Sequence, residues 1–459
     1  MLAAFRDKKN FSKYSLYINR IRIATLFLCC LAAGVFLILI HSIQTQPNQS
    51  VIYIDCSKRL PPAKSMIGFL HSLSLQSPPS KYITELNPRY WRIGSRNKFV
   101  LNKIKSFGAA PIFVLSDVFG YSHADSAASW ESPSLVPDKW NYMVKSVAVE
   151  HNSDGITSIY DIWNEPNLKG FWPSSQPDFF ATFKKGYNQI RAAPNGNAAK
   201  ISGPSISKFD IDFIQNFLDY CLANNLRLDI LSWHEFRSNE DIPKVADDIL
   251  LVKSRFINNP KYAALQIKAI QINEIIPESD QFSPGNILAY FDYLEQGGAD
   301  GACKACWVES NGESNCFNNS LDGLLDGDTK QPRAAWWAYR YYNLSLENRL
   351  NYKSNNSHVI CFANYQTDNL QVLLGYYGHR AKNASVTQVK LNLSNIKSLA
   401  LFAGKSYVNI SVLSIPNTGE DAMGSPKITY QTIAKVANGQ IIFSVPGLYL
   451  SGACVVNIK

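Results

Sequence analysis

Two Asn-Glu pairs supply carboxyl groups whose type and setting suit acid, base or nucleophilic chemistry. One pair is Asn164-Glu165, which a proline follows, and the other is Asn273-Glu274, further along the chain. Two carboxyl groups that share a site can divide the work of breaking a bond, because one handles the proton while the other attacks. Such a pair works unaided, so the sequence implies no metal and no cofactor. The chemistry then depends on whether the fold brings the two glutamates together.

The candidate residues follow short apolar runs, which are typical of parallel strands buried on both faces. Helical periodicity separates these runs, for example in Gln176–Ala192 and Ile211–Ala223. The eight runs are Met66–Leu70, Tyr90–Gly94, Pro111–Asp117, Thr157–Trp163, Lys200–Pro204, Leu228–Trp233, Ile267–Asn273 and Gly301–Trp307. The alternation predicts an α/β fold, a (β/α)8 TIM barrel over residues 64–342. An open doubly wound sheet is the alternative, but no glycine-rich nucleotide loop follows any of the runs.

Polar and aromatic residues gather where the predicted strands end. In a TIM barrel the catalytic groups lie at the carboxyl ends of the strands. Glu165 ends the fourth run and Glu274 follows the seventh, whereas Arg92, His234 and Trp307 lie at the ends of the second, sixth and eighth. The barrel therefore predicts one shared rim for residues that are distant in sequence.

The segment Trp163–Asn167 resembles the acid/base motif of clan A glycoside hydrolases. The resemblance implies that Glu165 is the acid/base and that Asn164 binds the sugar 2-hydroxyl. It also implies a nucleophile at the end of the seventh strand, where Glu274 stands. A helix-capping loop is the alternative for the first motif, and Asn-Glu alone is a weak motif for the second. Three other glutamates compete with Glu274: Glu235, Glu278 and Glu309.

Three further residues fit the same resemblance, each with an ordinary structural alternative. Ser232–His234 resembles the clan's sixth-strand segment, which implies that His234 hydrogen-bonds Glu274 or the sugar. Arg92 resembles the second-strand arginine that keeps the nucleophile ionised. Trp307 is expected to stack on a sugar ring. The alternatives are a rim histidine, a structural ion pair and a core tryptophan. Weaker candidates for lining the site are His71, Asp117 and Trp163.

A barrel followed by a β-sandwich is, within clan A, most similar to family 39, the β-xylosidase and α-L-iduronidase family. This resemblance implies a retaining glycoside hydrolase that forms a covalent glycosyl-enzyme, with a β-xylosidase-like exo-enzyme as one form. One departure leaves the sugar open: the family usually has Thr-Glu and an aromatic residue where Asn273-Glu274-Ile275 stands here. Two alternatives stay open, a transglycosylase that uses the same residues and a catalytically silent carbohydrate-binding ectodomain.

The pattern changes after Tyr342 to period-two runs separated by turns. This predicts a C-terminal antiparallel β-sandwich over residues 343–459. The short run Val51–Asp55, within a linker over residues 42–63, is expected to pair with that sandwich.

The cysteines beyond the N-terminal segment suggest disulfides rather than a metal site. Cys303 and Cys306 have the spacing of a metal pair, but no second pair with zinc spacing exists. A Cys306–Cys316 bridge across a loop is therefore expected. Cys361 and Cys454 could tie the first and last strands of the sandwich together.

The N-terminus predicts a membrane anchor. Residues 23–41 contain an uncharged apolar run long enough to cross a bilayer, and basic residues crowd residues 1–22 in front of it. The positive-inside rule then places residues 1–22 in the cytoplasm and the catalytic domain outside the cell or in a lumen. Secretion after cleavage of a signal peptide is the alternative.

The charge pattern narrows the class of partner. The net charge of +9 resides mostly in the N-terminal segment, and no basic stripe argues for nucleic acid. The expected partners are a glycoside substrate, from small glycosides to polysaccharides, and the membrane. Asn-x-Ser/Thr sequons cluster after residue 340, which predicts a glycoprotein if the chain enters a eukaryotic secretory pathway.

Overall fold

The structure, a computed structural model, describes residues 50–459 apart from three short stretches, 121–131, 154–158 and 379–385. The predicted cytoplasmic tail and membrane segment lie outside the described residues, so both stay predictions. Among the helices that the structure does describe, none has the length and apolarity needed to cross a membrane.

The first strand, β1 (Ser50–Arg59), belongs to the C-terminal sheets, and the next eight strands form a nearly closed parallel barrel. Their bounds are β2 (Gly68–Leu70), β3 (Tyr90–Ile93), β4 (Ala110–Val114), β5 (Ile159–Asp161), β6 (Lys200–Ile206), β7 (Ile230–Glu235), β8 (Ala269–Ile275) and β9 (Gly301–Lys304). They neighbour each other in chain order. The last strand returns beside the first, since a Cβ on Gly68 would lie 2.2 Å from the carbonyl oxygen of Ala302. The predicted barrel is confirmed.

Helices follow the strands and cover the outside of the barrel. They are α1 (Ser80–Thr84), α2 (Lys98–Ser106), α3 (Leu115–Gly120), α4 (Pro137–Ser153), α5 (Gln176–Ala192), α6 (Ile211–Ala223), α7 (Lys244–Val252), α8 (Pro284–Gly297) and α9 (Ala334–Leu344). Every residue of β2, β5 and β7 is buried, as expected of strands enclosed on both faces. A rigid core thus fixes the strand ends from which the candidate side chains project.

Two further sheets pack face to face as the predicted sandwich. Their strands are β1 with β10 (Leu350–Ser354), β11 (Val359–Tyr365), β12 (Leu370–Tyr376), β13 (Val386–Ser394), β14 (Tyr407–Ile415), β15 (Lys427–Lys435), β16 (Ile441–Tyr449) and β17 (Ala453–Ile458). The sheet orders are β10-β1-β13-β16 and β11-β12-β17-β14-β15. The predicted pairing of Val51–Asp55 with the sandwich is confirmed, antiparallel to β10 and parallel to β13. Apolar residues from both sheets share one buried cluster.

The cysteines gave one correct and one wrong prediction. Cys306 and Cys316 form a disulfide, as predicted. The suggested Cys361–Cys454 bridge is wrong, because β12 runs between their strands and Leu374 pairs with both cysteines. Two strand spacings put them about 9.6 Å apart, beyond the reach of a disulfide.

Candidate active site

The fold brings the two candidate glutamates together at the carboxyl ends of barrel strands. Glu165 follows β5, whereas Glu274 is the second-last residue of β8. One carboxylate oxygen of each and one ring nitrogen of His234 lie within 4.8 Å of one another. The side chain of Glu165 is 10% exposed and that of Glu274 is 12% exposed. Both carboxyl groups therefore face a small, largely desolvated space.

Arg92 is the cation of the site and is itself buried, with 1% of its surface exposed. Its Nη1 donates to Oε1 of Glu274 at 2.6 Å. Its Nε and Nη2 donate to Oδ2 of Asp161 at 2.9 and 2.8 Å. One buried guanidinium thus serves two carboxylates, and the two carboxylates raise the pKa of Arg92 despite its burial. The predicted approach of Arg92 to the nucleophile region is observed.

The amide of Asn164 has an orientation that Arg92 determines. Nη2 of Arg92 donates to Oδ1 of Asn164 at 2.8 Å, and the backbone N–H of Asn164 donates to Oγ of Ser116 at 3.1 Å. Because a guanidinium can only donate, the amide oxygen must face Arg92 and the amide NH2 must point away from it. Asn164 therefore presents two N–H donors from the residue that precedes Glu165.

His234 lies between the two glutamates and is fully buried. Its Nδ1 lies 3.0 Å from Oε1 of Glu165, and its Nε2 lies 3.8 Å from Oε1 of Glu274. The sequence predicted a contact with Glu274 or the sugar, and the structure adds the closer contact to Glu165. Burial lowers the pKa of His234 to about 4, so the ring is neutral near pH 7.

Burial raises the pKa of both glutamates, but the groups that counter this rise differ between them. Burial raises the pKa of Glu165 to about 7, and only the more distant charge of Arg92 counters it. Burial also raises the pKa of Glu274, but the charge of the hydrogen-bonded Arg92 acts to lower it. At pH 7 about half of the Glu165 population carries a proton, since the pKa equals the pH.

Sequence reasoning missed Asp161, which anchors the site from below. This aspartate ends β5 and is fully buried. Besides Arg92, it accepts hydrogen bonds from Oγ of Ser205 at 2.8 Å and from Nδ2 of Asn273 at 3.2 Å. The available signal was one carboxylate inside the apolar run Ile159–Trp163. A charge in a strand buried on both faces needs a partner, and Arg92 is that partner.

Trp307 and Phe236 form an aromatic wall at the mouth of the site. Trp307 is half-buried, and its Nε1 donates to the carbonyl oxygen of Ile276 at 3.0 Å. The Phe236 ring meets Trp307 edge-on at 5.1 Å and His234 at 5.8 Å. Trp307 is thus linked to His234 through the ring of Phe236.

A second cluster at the mouth joins the ends of β2 and β4. The ring of His71 stacks on Phe317 with centroids 5.9 Å apart, and Phe317 is 55% exposed. Nε2 of His71 lies 3.5 Å from Oδ2 of Asp117. Burial raises the pKa of Asp117 to about 7, while Arg92 lowers it. His71 and Asp117, predicted as weaker lining residues, therefore form a pair at the rim.

Trp163 does not line the site, which corrects its prediction as a substrate contact. It is 1% exposed and packs edge-on against Trp140 and Trp172, at 5.6 and 5.2 Å. Its Nε1 donates to the carbonyl oxygen of Phe171 at 3.1 Å. The side chain is therefore part of the buried aromatic core.

Two of the rival glutamates are committed to structural partners. Glu235 is 2% exposed and accepts a hydrogen bond from Nε1 of Trp233 at 2.7 Å. Glu309 makes a buried two-pronged ion pair with Arg333, at 2.9 and 2.7 Å. Glu278 is exposed and is the first residue of a 3-10 turn. Glu274 is therefore the glutamate, of these four candidates, whose carboxylate lies beside that of Glu165.

Strained backbone marks the same rim. Several residues other than glycine have positive φ angles at or shortly after the strand ends, among them His71 at 48°, Glu165 at 49°, Ser205 at 53° and Ile276 at 73°. A β-branched residue such as Ile276 is rare in this region. Each such residue costs on the order of 1–3 kcal/mol, and such strain clusters at functional sites. The surrounding core must hold these conformations.

The trio Glu165, His234 and Glu274 offers ligand atoms at a spacing that a metal ion could use. The guanidinium of Arg92, however, already lies 2.6 Å from the Glu274 carboxylate. A second cation there would be repelled by Arg92 at close range. The arrangement suits the storage and transfer of protons better than metal binding.

Comparisons with known proteins agree with this geometry. The family model for glycosyl hydrolases family 39 matches residues 135–271, a stretch that includes Glu165 and ends just before Glu274. A beta-xylosidase of Geobacillus stearothermophilus is 26% identical over 108 residues, which is 22% of this chain and 21% of that protein. The chain thus matches about a fifth of the length of that curated relative. The predicted resemblance to family 39 is confirmed.

Solved structures support the fold over nearly the whole chain. A protein from Neocallimastix frontalis superposes with a TM-score of 0.69 at 20% identity, covering 90% of this chain and 99% of that one. A GH39 enzyme from Xanthomonas axonopodis pv. citri gives a TM-score of 0.66 at 13% identity, covering 91% and 98%. At these identities the likeness shows a shared barrel-and-sandwich fold.

Proposed function

We propose that this chain, which resembles glycosyl hydrolases family 39, is a retaining glycoside hydrolase that cleaves O-glycosyl bonds by double displacement. The observation that carries the proposal is the distance of at most 4.8 Å between carboxylate oxygens of Glu165 and Glu274. Retaining enzymes hold their two carboxyl groups about 5–5.5 Å apart, and inverting enzymes about 6.5–9.5 Å. The narrow gap favours direct attack by a carboxylate over attack by an intervening water.

In the first step Glu165 is the acid and Glu274 the nucleophile. Protonated Glu165, whose pKa is raised to about 7, gives its proton to the glycosidic oxygen. A carboxylate oxygen of Glu274 attacks the anomeric carbon as the bond to the leaving group breaks. The products are a free alcohol and a glycosyl ester of Glu274. Arg92 keeps a share of Glu274 ionised by its hydrogen bond at 2.6 Å.

In the second step Glu165 acts as base. Its carboxylate removes a proton from water, and the hydroxyl oxygen bonds to the anomeric carbon. The ester bond to Glu274 breaks and its electron pair returns to the carboxylate. The sugar leaves with its original anomeric configuration, and Glu165 is protonated again for the next cycle.

Neutral His234 connects the two carboxyl groups through one tautomer. With its hydrogen on Nε2, the ring points an N–H at Glu274 and leaves Nδ1 as an acceptor. Nδ1 then accepts a hydrogen bond from the protonated carboxyl group of Glu165 across 3.0 Å in the resting enzyme. This tautomer matches the proposed charges, because the ionised carboxylate faces a donor and the protonated one faces an acceptor.

The substrate would be held by the groups above the two glutamates. The amide NH2 of Asn164 is oriented to donate to a sugar 2-hydroxyl, a contact that strengthens in the transition state. The half-buried ring of Trp307 supplies a face for the apolar side of a sugar. The similarity to a beta-xylosidase makes β-xylosides the first substrates to test. We propose exo-action on such glycosides.

The decisive experiment is to trap the covalent intermediate. After chromogenic glycosides have identified a substrate, the matching 2-deoxy-2-fluoro glycoside with a good leaving group should label Glu274, as read by peptide mass spectrometry. Glu274→Ala should take up no label, whereas Glu278→Ala, which removes an exposed neighbouring carboxylate, should be labelled like the wild type. A product of inverted configuration, or a label on another residue, would exclude the proposed mechanism. Added sugar acceptors would reveal a transglycosylase by diverting the product from the free sugar.

A further inference from the structure

Two loops contact each other, one from the barrel and one from the sandwich. The rim loop, residues 305–333, joins β9 to α9 and carries Trp307. The sandwich loop, residues 416–426, joins β14 to β15. Although these loops belong to different domains, they share a continuous set of hydrogen bonds.

The base of this contact is backbone pairing. The N–H of Met423 donates to the carbonyl oxygen of Pro332 at 2.7 Å, and Arg333 pairs with Ala422 in an isolated antiparallel bridge. Nε of Arg333 also donates to the carbonyl oxygen of Glu420 at 2.8 Å. The sandwich loop is thus fixed against the end of the rim loop nearest to α9.

The side chain of Glu420 then reaches across to the other end of the rim loop. Its Oε1 accepts the backbone N–H of Ser310 at 2.9 Å, and its Oε2 accepts the hydroxyl of the same serine. Hydrogen bonds to an ionised carboxylate are stronger than neutral ones. One carboxylate thereby fixes both the backbone and the side chain of Ser310, three residues after Trp307.

A hairpin connects Ser310 to Trp307. Val308 and Ser314 form an antiparallel bridge, and the N–H of Asn315 donates to the carbonyl oxygen of Trp307 at 2.9 Å. Oδ1 of Asn315 accepts the N–H of Trp307 at 2.6 Å. The hairpin thus links the position of Ser310 to that of the Trp307 backbone.

We propose that Glu420 of the sandwich is a positioning residue that holds the hairpin of residues 307–315, so that Trp307 keeps its place in the wall of the substrate cleft. The inference rests on the proposed function for the role of Trp307, but the contact itself is independent of any activity. The C-terminal sandwich then completes the active site and is more than an appended module.

The rim loop has other restraints, which keep it folded when Glu420 is changed. The Glu309–Arg333 ion pair is buried, and the Cys306–Cys316 disulfide closes the loop at its base. Glu420 is only partly buried and Ser310 is exposed. The loss of one exposed contact contributes little to global stability. The replacement of Glu420 should therefore change the position of the hairpin and not the stability of the whole fold.

The test compares Glu420→Ala and Glu420→Gln with Asp421→Ala, which removes the neighbouring carboxylate of the same loop. No hydrogen bond of the Asp421 side chain occurs in the described part of the chain, so it is a matched control. In Glu420→Ala, hydrogen exchange of the amides in residues 308–314 should accelerate by about tenfold. KM for the best glycoside should rise by about threefold to tenfold with kcat changed less than about twofold. Glu420→Gln, which keeps one acceptor oxygen, should recover part of both losses.

The outcomes separate the two proposals. Unchanged exchange in residues 308–314 in Glu420→Ala would refute the positioning role, as would effects of equal size in Asp421→Ala. Faster exchange with an unchanged KM would show that the hairpin is held but that Trp307 does not contact substrate, which also overturns the proposal. A wild-type chain without glycosidase activity would refute the proposed function, while the exchange result would still decide whether Glu420 holds the hairpin.

Discussion

Replacement of the proposed acid by its amide, Glu165→Gln, should remove the alkaline limb of the pH–rate profile. In the wild type, kcat/KM for a glycoside with a poor leaving group should fall above pH 7, because Glu165 loses its proton there. Glutamine cannot lose a proton in this range, so the variant should be slow but independent of pH between 7 and 9. We expect a loss of about 10²–10⁴-fold near pH 6.

The size of the effect follows from the burial of Glu165. A glutamate with the ordinary pKa of 4.5 would be about 0.3% protonated at pH 7, whereas a pKa of about 7 leaves half of it protonated. Burial thus raises the fraction of competent acid by about 150-fold at neutral pH. Arg92 is the cation that opposes this shift, and it hydrogen-bonds Glu274 instead.

The assay compares two aryl glycosides of one sugar, with phenol and with 2,4-dinitrophenol as leaving groups. The dinitrophenyl glycoside needs no acid, so its first step should be spared in Glu165→Gln, and added azide should replace water in the second step. Glu278→Gln, an exposed carboxylate change, should keep the wild-type profile. An alkaline limb that persists unchanged in Glu165→Gln would refute the assignment of Glu165 as the acid.

The same shift has a consequence for stability. Between pH 4.5 and 7 the native state binds more protons at Glu165 than the unfolded chain does, so stability falls as the pH rises through this window. Glu165→Gln removes that penalty. Its free energy of unfolding should match that of the wild type near pH 4 and exceed it by about 3 kcal/mol at pH 9. Urea titrations at the two pH values test this, and a stability difference that is independent of pH would contradict it.

Arg92→Met should lower the free energy of unfolding by about 3–5 kcal/mol in urea titrations, because it leaves Asp161 buried without its cation. It should also raise the pKa of Glu274, which moves the acidic limb of kcat/KM to higher pH, whereas Arg96→Met at an exposed ion pair should change neither property measurably. 4-Nitrophenyl β-xyloside should exceed the corresponding glucuronide in kcat/KM by about 100-fold at pH 7. The glucuronide carries a carboxylate into a site that already holds carboxylates, and like charges across a contact cost several kcal/mol. Equal rates for the two glycosides would show that a cation other than Arg92 binds the carboxylate of the glucuronide.

The barrel was predictable because each of its strands carries its own signal. Eight short apolar runs separated by helical periodicity have few other solutions, and the residues after each run follow from the barrel's polarity. Glu165 could be placed by its motif, and Glu274 by its position after the seventh run. The catalytic candidates were found from local sequence plus one global rule.

What the sequence did not reveal depends on contacts between strands. Asp161 looked like part of an apolar run, and only the barrel shows that it faces Arg92 and Asn273. Trp163 adjoins Asn164 in sequence, but its ring packs against Trp140 and Trp172, whereas the side chain of Asn164 contacts Arg92. The same limit explains the wrong prediction of a Cys361–Cys454 disulfide, since strand order in a sheet cannot be read from strand patterns alone.

In the proposed mechanism two identical side chains in one small space take different roles because their partners differ. Glu274 contacts the guanidinium of Arg92 directly, and this contact favours its charged form. Glu165 contacts neutral His234 instead, and a neutral partner does little to offset desolvation. A closer approach of Arg92 to Glu165 would lower the pKa of Glu165 and leave the burial of Glu274 less opposed. The direction of one buried arginine, fixed by Asp161 beneath it, therefore favours the proposed assignment, with the proton on Glu165 and the charge on Glu274.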